Sequence, residues 1–385
     1  MKRFGKLFDK ICDLDNIRRA FLRAAKGKKW RRTVKYALSH METLAVKLRD
    51  VLLSGNYHTS KYKTRTIYEP KQRTIYILPF YPDRVVHHAV MAVIEPLLDK
   101  MMYFHSYACR PGKGQIKGSS QCMKYAVKYE YCLKCDVSKF YPSVDHQILK
   151  ELLRKKFKDA RLLALLDEII DSADGDETAP AGKNVPIGNY LSQWFGNYYL
   201  NELDTFVKQD LRCKPYIRYC DDFTLFSDDK KQLREWADKI RDFCLNNLKL
   251  TLSKCNIFKT SQGVDFLGYR HFRNGRLILR KRTALRLRRR MRGIARMMTA
   301  AGIANGTAGI TAAAKTANTN GTAGCHRFNR QHALGQTASA MGLLRHCKSK
   351  GLRQTTDIKR IFDDLRHEQD RRHGQECGQE LQVAI

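Results

Sequence analysis

Hydrophobic and polar positions alternate along the chain with two different periods. Residues 131–137 follow the two-residue period of a half-buried strand. Residues 216–218 and 223–226 are rich in β-branched and aromatic residues and flank a short polar turn, so they predict a β-hairpin. Residues 61–68 and 73–78 predict a second hairpin, whose turn is at 69–72.

A helical period of about 3.6 residues accounts for most of the remaining chain. The segments with this period are residues 1–50, 82–102, 145–171, 189–209 and 230–248. An acidic stretch containing Gly, Ala and Pro, residues 171–183, predicts a loop. Because strands and helices alternate irregularly, we predict an α+β fold with an antiparallel sheet.

The two ends of the chain differ from its centre. Residues 1–50 predict a basic helical N-terminal extension, with Ile17, Ala20, Phe21 and Ala24 on its apolar face. Between Arg276 and Arg296 there are ten Lys or Arg residues and no acid, interleaved with apolar positions. This pattern predicts an amphipathic cationic helix, suited to a phosphate backbone or to a membrane surface.

Low-complexity sequence follows the cationic segment. Residues 299–324 consist almost wholly of Ala, Thr, Gly and Asn, a composition that buries little apolar surface, so they predict a flexible insertion or linker. The predicted organisation is an N-terminal extension at 1–50, a central region at 51–275 and a basic helical region at 276–385.

Charge and cysteine content narrow the class of protein. With 72 Lys and Arg against 38 Asp and Glu, the net charge is +34, which is typical of a chain that binds a polyanion. The chain has no run of 18 or more apolar residues and no apolar signal core at its start, which favours a soluble intracellular protein without a membrane partner. The 12 cysteines are scattered, and Cys132 and Cys135 fit buried thiols better than a zinc site.

Three carboxylates stand out as candidate metal ligands. Asp221 and Asp222 lie side by side at the tip of the first predicted hairpin, where they repel each other unless a cation or proton compensates them. Asp136 ends the strand at 131–137 and is placed to face that tip. Oxygen ligands of this kind suit Mg²⁺ or Mn²⁺, and three carboxylates around two metal ions suit phosphoryl or nucleotidyl transfer. A solvated acidic turn and a strand-end Asp are the alternative interpretation.

Several motifs in order along the chain resemble the reverse transcriptases of bacterial retroelements, including group II intron and retron enzymes. The segments that carry the resemblance are 73–79, 83–89, 106–114, 135–146, 219–222 (Tyr-Cys-Asp-Asp), 250–254 and 266–270. The resemblance implies a right-hand polymerase, with fingers and palm interleaved over 51–275 and a basic helical thumb within 276–385. It further implies two Mg²⁺ ions, with Mn²⁺ as a substitute, and Asp136, Asp221, Asp222 and the carbonyl of Val137 as ligands.

One motif points to a subtype. Many reverse transcriptases carry Pro-Gln-Gly-x-x-x-Ser-Pro, whereas this chain has Pro186-Ile187-Gly188 followed by Ser192-Gln193. That form resembles the enzymes of diversity-generating retroelements, which copy a template-repeat RNA with frequent errors at adenines (mutagenic retrohoming) and work with a small basic accessory variability protein. Ile has no side-chain donor or acceptor, so base discrimination that depends on polar contacts is expected to weaken at Ile187.

The resemblance also implies roles for other residues. The residues expected near the incoming deoxynucleotide are Arg73, Tyr141, Ile187, Gly188, Gln193 and Lys254. Arg73 would contact the triphosphate, the ring of Tyr141 (or of Phe140) would select deoxyribose, and Lys254 would donate a proton to pyrophosphate. The cations expected on the template RNA and the cDNA or primer strand are Arg280, Lys281, Arg282, Arg286, Arg289 and Arg290. The expected setting is the cytoplasm of a bacterium, with the gene bacterial or phage-borne.

Three alternatives remain open. One is a retron or phage-defence reverse transcriptase, which a neighbouring accessory gene and a pair of template and variable repeats would discriminate. Another is a group II intron enzyme, which the lack of a visible zinc-bound nuclease pattern or long maturase extension disfavours. The third is a non-catalytic RNA-binding protein that uses the +34 charge alone. The carboxylates are superfluous to such a binder, so a metal-dependent primer-extension assay separates it from the enzymes.

Overall fold

The computed structural model describes residues 3–68, 72–173, 180–300, 330–347, 353 and 356–366. Most of the predicted turn at 69–72 and of the predicted linker at 299–324 lies outside these residues, as does part of the loop at 171–183. The chain divides into two compact units, Met1–Thr260 and Ser261–Ile385. The predicted boundary at 275/276 lies inside the second unit, and the limits of fingers, palm and thumb stay predictions.

The N-terminal region of the first unit is helical, with α1 Phe8–Ile11, α2 Leu14–Ala25, α3 Arg32–Ser39 and α4 Met41–Leu53. The side chain of Asp13 accepts from the amide of Asn16 at 2.9 Å and so caps α2. The predicted apolar face is confirmed, because Ile17, Ala20, Phe21 and Ala24 are all buried. Helix α2 packs against α5, Val85–Met101, so the extension is part of the main core.

A four-stranded antiparallel sheet forms the centre of the first unit. Its strands are β3 Tyr131–Val137, β4 Tyr216–Tyr219, β5 Asp222–Ser227 and β6 Leu252–Lys259, in the order β4-β5-β3-β6. Helix α12, Lys230–Leu248, packs against β3, β5 and β6 and buries its apolar stripe there. Both hairpin strands and the strand that ends near Asp136 were predicted from the sequence, and their antiparallel pairing is confirmed.

The remaining elements of the first unit surround this sheet. A separate hairpin pairs β1 Lys63–Ile67 with β2 Arg73–Ile77, as predicted. The other helices are α6 Gln115–Lys128, α7 Phe140–Ser143, α8 His146–Lys156, α9 Ala160–Asp171, α10 Tyr190–Tyr199 and α11 Asn201–Gln209.

Two segments predicted as continuous helices are each divided. Segment 145–171 breaks before Asp159, whose carboxylate caps α9 and also accepts from the amides of Leu7 at 2.7 Å and Phe8 at 2.9 Å. Segment 189–209 breaks at Leu200, between α10 and α11.

The second unit contains a small sheet followed by helices. Strands β7 Val264–Phe266, β8 Tyr269–His271 and β9 Leu277–Leu279 form an antiparallel sheet, and α13 Lys281–Ala300 and α14 Arg330–Arg345 follow. The prediction that the cationic helix begins at Arg276 was wrong, because Leu277 and Leu279 pair with β8 as a strand. The helix itself buries Leu287, Met291 and Ile294 in a second core. Across the described residues, no helix has both the length and the apolar character needed to cross a bilayer.

Candidate active site

The hairpin of β4 and β5 brings two aspartates to one end of the central sheet. Tyr219 pairs with Asp222, so only Cys220 and Asp221 form the loop. Cys220 has a φ of 56°, in the left-handed region that a non-glycine residue rarely adopts. The guanidinium of Arg218 donates to the carbonyl of Cys220 at 3.1 Å, and this contact holds the loop in its conformation.

A buried ion pair anchors that arginine. Arg218 and Asp204 are both 0% exposed, and the guanidinium donates to both carboxylate oxygens, at 2.7 and 2.5 Å. Asn197 accepts from the same guanidinium at 3.0 Å, and Tyr216 donates to Asp204 at 2.7 Å. Bidentate pairing with further hydrogen bonds is what makes two buried charges tolerable. The network therefore fixes the hairpin loop to α10 and α11.

Asp136 lies directly opposite Asp222 in the register of β3 and β5. The amide of Val137 donates to the carbonyl of Asp221 at 3.2 Å, so the end of β3 is bonded to the hairpin loop itself. On the other side of β3, Ser253 of β6 donates to a carboxylate oxygen of Asp136 at 2.8 Å. The three aspartates named from the sequence thus share one end of the sheet.

The carboxyl of Asp222 is half-buried and has a raised pKa. Its pKa is raised to about 6, mainly by burial and in addition by the charges of Asp136 and Asp221, against the opposing effect of Lys134. Lys134 places its ammonium 3.1 Å from Oδ2 of Asp222. The other oxygen, Oδ1, is buried and has no hydrogen-bond partner among the described residues.

These residues fit a divalent cation by the chemistry of their donors. The three aspartates offer carboxylate oxygens, and one oxygen of Asp222 is buried and has no hydrogen-bond partner among the described residues. Among the described residues, no three His, Cys, Asp or Glu side chains already stand as a metal-binding group. Instead, Lys134 and Ser253 each engage one oxygen of the facing aspartates.

Tyr141 is the aromatic ring that reaches the hairpin loop. Its hydroxyl lies 3.4 Å from Sγ of Cys220, and the ring is half-buried. Burial is the main cause that raises the pKa of Tyr141, so the phenol stays protonated. Phe140 is 2% exposed and packs against Gly196 in the core. Of the two rings considered from the sequence, Tyr141 is thus the one near Asp221.

The loop 186–189, which carries the Pro-Ile-Gly motif, lies against β2 of the β1–β2 hairpin. The amide of Tyr76 donates to the carbonyl of Ile187 at 2.8 Å. Gly188 has a φ of 112°, and a Cβ there would lie 2.9 Å from Ile75 and 3.1 Å from the carbonyl of Tyr76. Only glycine fits this position, because both the backbone angle and the neighbours exclude a side chain. The side chain of Ile187 is half-buried.

The other residues predicted to contact the nucleotide or the nucleic acid lie on several different elements. Gln193 is exposed on the first turn of α10, and Arg73 is exposed at the start of β2. Lys254 is exposed on β6, where its backbone pairs with Asp136. In the second unit, Arg280 pairs with Asp265. The predicted cations on the helix that follows are all exposed, and they are Lys281, Arg282, Arg286, Arg289 and Arg290.

Several site residues were missed from the sequence. Lys134 lies two residues before Asp136, on the same face of β3, so strand periodicity places both on that face. Ser253 precedes Lys254 in a motif that was recognised for its lysine alone. No sequence signal pairs Arg218 with Asp204, because that contact joins a strand to a helix.

Within the described residues, the cysteines are free thiols. Cys132 and Cys135 are both buried, and their spacing puts them on opposite faces of β3, so they cannot share a metal ion. Sγ of Cys135 lies 3.4 Å from Sγ of Cys255, its neighbour on β6.

Comparison with known proteins identifies the family of this chain. Residues 61–271 match the family described as reverse transcriptase (RNA-dependent DNA polymerase). The match covers more than half of the 385 residues, and the chain belongs to that family. The predicted α+β fold of a right-hand polymerase is confirmed. Reverse transcriptases act on an RNA template and nucleotides and generally use divalent metal ions.

Individual relatives are distant. Protein YkfC of Escherichia coli (strain K12) is 27% identical over 275 residues, which cover 59% of this chain and 70% of YkfC. Group II intron-encoded protein LtrA of Lactococcus lactis subsp. cremoris is 21% identical over 291 residues, which cover 58% of this chain and 49% of LtrA. The chain thus spans about half the length of LtrA. Apo telomerase of Candida tropicalis has a TM-score of 0.44 and 14% identity, over 57% of this chain and 48% of that one.

Proposed function

We propose that the chain synthesises DNA on an RNA template, with Asp136, Asp221 and Asp222 as its catalytic carboxylates. The observation that most supports this proposal is the register that sets Asp136 opposite Asp222 across β3 and β5. In the reaction, the 3′-hydroxyl of a primer attacks the α-phosphate of a deoxynucleotide. A phosphodiester bond forms and pyrophosphate leaves.

Asp136, Asp221 and the carbonyl of Val137 would hold two Mg²⁺ ions, or Mn²⁺ in their place, with Asp222 as a supporting ligand. When bound, such ions stabilise charge on the attacking and leaving oxygens. The secondary role of Asp222 is supported by Lys134, whose ammonium already pairs with one of the two carboxylate oxygens of Asp222 at 3.1 Å.

Residues around the carboxylates would position the nucleotide. Tyr141 would crowd a ribose 2′-hydroxyl and so select deoxynucleotides, and its contact with Cys220 supports this role. Arg73 would hold the triphosphate through its fork of N–H donors, and Lys254 would protonate pyrophosphate. Gly188 and Gln193 would border the nucleotide, and the cations of α13 would contact the nucleic-acid strands.

Primer extension on an RNA template with deoxynucleotides and Mg²⁺ tests the proposal. Asp136→Asn and Asp221→Asn are expected to lower the extension rate about 10³-fold or more. Each removes a carboxylate charge that would hold the metal ions, and these ions would stabilise the transition state. Both variants should still bind RNA. Asp238→Asn is the matched control, because Asp238 is exposed on α12 and pairs only with Arg241 in the described contacts. Wild-type protein that binds RNA but extends no primer would instead be a non-catalytic RNA-binding protein.

We further propose the diversity-generating subtype, in which a template-repeat RNA is copied with errors at adenines in the bacterial cytoplasm, together with a basic accessory protein. The support is Ile187, an apolar half-buried residue whose carbonyl ties the motif loop to β2. A hydrogen-bonding side chain there would restore polar contacts that Ile lacks. A retron or phage-defence enzyme is the alternative.

Sequencing of cDNA separates these subtypes. Ile187→Gln is expected to reduce misincorporation opposite adenine about 10-fold, within the range that a polar contact contributes to selectivity. Ile187→Leu is the control, since it keeps an apolar side chain of similar volume. An adenine error rate that is equal in wild type and Ile187→Gln would contradict the subtype while leaving the polymerase activity intact.

A further inference from the structure

Two cysteines face each other across the central sheet, next to Asp136. Cys135 on β3 and Cys255 on β6 are directly opposite in the antiparallel register, and their Sγ atoms lie 3.4 Å apart. Both are free thiols. In a disulfide the two Sγ atoms lie about 2.05 Å apart, so a small movement separates this pair from a covalent bond.

The two thiols differ in their access to solvent. Cys135 is 0% exposed, whereas Cys255 is half-buried on β6, which is an edge strand of the sheet. The hydrogen bond with Cys135 lowers the pKa of the Cys255 thiol, and Arg241 of α12 lowers it further, against the opposing effect of burial. Burial instead raises the pKa of Cys244, a thiol on α12 near Cys255. An accessible thiol beside a second thiol is the arrangement found in cysteines that react with peroxides.

The two cysteines adjoin the acidic end of the sheet. The register of β3 and β6 shifts between Asp136 and Val137, one residue beyond Cys135. Ser253, two residues before Cys255, donates to Oδ2 of Asp136 at 2.8 Å and to the carbonyl of Asp136 at 3.1 Å. A movement of β6 toward β3 at Cys255 therefore also moves the hydroxyl that holds Asp136.

We propose that Cys135 and Cys255 form a peroxide-sensitive dithiol, which closes to a cross-strand disulfide and thereby displaces Asp136. Cβ atoms directly opposite each other in an antiparallel pair lie about 4.5–5.5 Å apart, whereas a disulfide needs about 3.5–4.5 Å. Closure thus draws the two strands together by about 1 Å at this position. A displacement of that size in a catalytic site can lower a rate about 100-fold. The effect on DNA synthesis rests on the proposed function, whereas the thiol chemistry does not.

Hydrogen peroxide is the oxidant, and the reaction balances with it. The thiolate of Cys255 attacks one peroxide oxygen, so that an S–O bond forms and the O–O bond breaks. Hydroxide leaves and takes up the proton lost by Cys255, which gives water. The thiol of Cys135 then attacks the sulfur of the sulfenic acid on Cys255, so that the S–S bond forms, the S–O bond breaks and a second water leaves with the proton of Cys135. Two thiols thus lose two electrons to one peroxide, and a small dithiol such as dithiothreitol reverses the closure by exchange.

Peptide mapping of the full-length protein detects this disulfide independently of catalysis. The reduced protein is treated with hydrogen peroxide in the presence of a chelator, its remaining thiols are alkylated, and it is digested with trypsin. Cleavage after Lys134 and Lys254 places the two cysteines on peptides 135–139 and 255–259, separate from Cys132 and Cys244. We expect mass spectrometry to find these two peptides joined before other thiols have reacted, and to find them released by dithiothreitol.

Variants separate the roles of the two sulfur atoms. In Cys135→Ala, Cys255 should stop at the sulfenic acid, which dimedone traps, and Cys255→Ser should give neither product. Cys244→Ala is the matched control, because it removes a thiol near Cys255 on α12 and should leave the joined peptides unchanged. Cys109 is an exposed thiol and serves as the internal control for access alone, so it should react more slowly than Cys255.

Primer extension measures the consequence of closure. Wild-type protein that has been oxidised and freed of peroxide should extend primers about 10- to 100-fold more slowly than the reduced protein. Dithiothreitol should restore the rate. Cys255→Ser should extend primers at the same rate before and after peroxide treatment, because it cannot form the disulfide.

Two results would overturn the proposal. One is an oxidised protein in which Cys109 has reacted while peptides 135–139 and 255–259 remain separate. The other is a protein with these peptides joined and an unchanged rate of primer extension. If the reduced wild type extends no primer but the two peptides still join on oxidation, the proposed polymerase is refuted and the disulfide is confirmed.

Discussion

At the scale of single residues, the fold disfavours the charged form of Asp222. Its carboxylate lies near two further aspartates and is paired with Lys134. Its pKa rises from 3.8 to about 6 because the folded protein disfavours the charged form. Ionisation of Asp222 therefore costs folding free energy at neutral pH, a cost that a bound cation would relieve.

Asp222→Asn is expected to stabilise the metal-free protein at pH 8 but not at pH 4. The folded state binds the proton of Asp222 more tightly than the unfolded state does. The protonated carboxyl therefore makes its full contribution to the free energy of unfolding below pH 3.8, and this contribution is lost as pH rises through about 6. The difference between the two pH values should be on the order of 2 kcal/mol. Urea unfolding in chelator at both pH values measures it. An effect of Asp222→Asn on the free energy of unfolding that is equal at the two pH values would contradict the raised pKa of Asp222.

At the scale of elements, the loop 186–189 depends on the strand beside it. Gly188 passes so close to β2 that a Cβ would overlap Ile75, and the carbonyl of Ile187 is bonded to the same strand. The position of the subtype motif is therefore set jointly by the loop and by the β1–β2 hairpin.

Gly188→Ala is expected to destabilise the protein by about 1–3 kcal/mol, through backbone strain and overlap together. Gly55→Ala is the control, because Gly55 has a φ of 74° but an added Cβ there would meet nothing within 4 Å among the described residues. The control should lose less stability, from strain alone. Thermal or urea unfolding of both variants measures the difference, and equal losses would show that contact with β2 does not matter.

The buried pair of Arg218 and Asp204 joins the hairpin to α11. Asp204→Ala is expected to cost about 3–5 kcal/mol of unfolding free energy, because it leaves the guanidinium buried without its partner. The double variant Asp204→Ala with Arg218→Met should cost clearly less than the sum of these two single changes, since it removes both charges. Urea unfolding of the single and double variants measures this coupling, and strictly additive losses would show that the two residues act independently.

Sequence periodicity predicts the bounds of an element well when neighbouring residues in the sequence determine where it begins and ends. Helix α12 begins at Lys230 and ends at Leu248, as predicted, because Asp229 caps its start and Lys249 adopts a left-handed φ of 50° at its end. Periodicity did not predict the break between α8 and α9. Asp159, which lies at this break, is held by amides of the N-terminal region that are distant in sequence. The same limit applies to the site. The aspartates were found from local motifs, whereas Lys134 meets Asp222 across a separation of 88 residues.

At the scale of the whole molecule, charge governs how the chain meets nucleic acid. The net charge of +34 favours any polyanion, and α13 concentrates exposed arginines on a helix whose other face is buried. Such charge raises affinity without regard to sequence, because it releases counterions from phosphates. Under the proposed function, the carboxylates would add chemistry to this general attraction.

Replacement of Arg289 and Arg290 together by Gln is expected to weaken binding to single-stranded RNA uniformly across sequences. Each lost phosphate contact should reduce the slope of log affinity against log salt by about 0.7, so the pair should reduce it by about 1.4. Both side chains are exposed, so the folded state should be unaffected. Titrations over a range of salt concentrations measure the slope. Replacement of the exposed Lys230 and Lys231 at the start of α12 is the control of equal charge. Equal slopes for the two double variants would mean that net charge alone, and not the position of α13, determines RNA affinity.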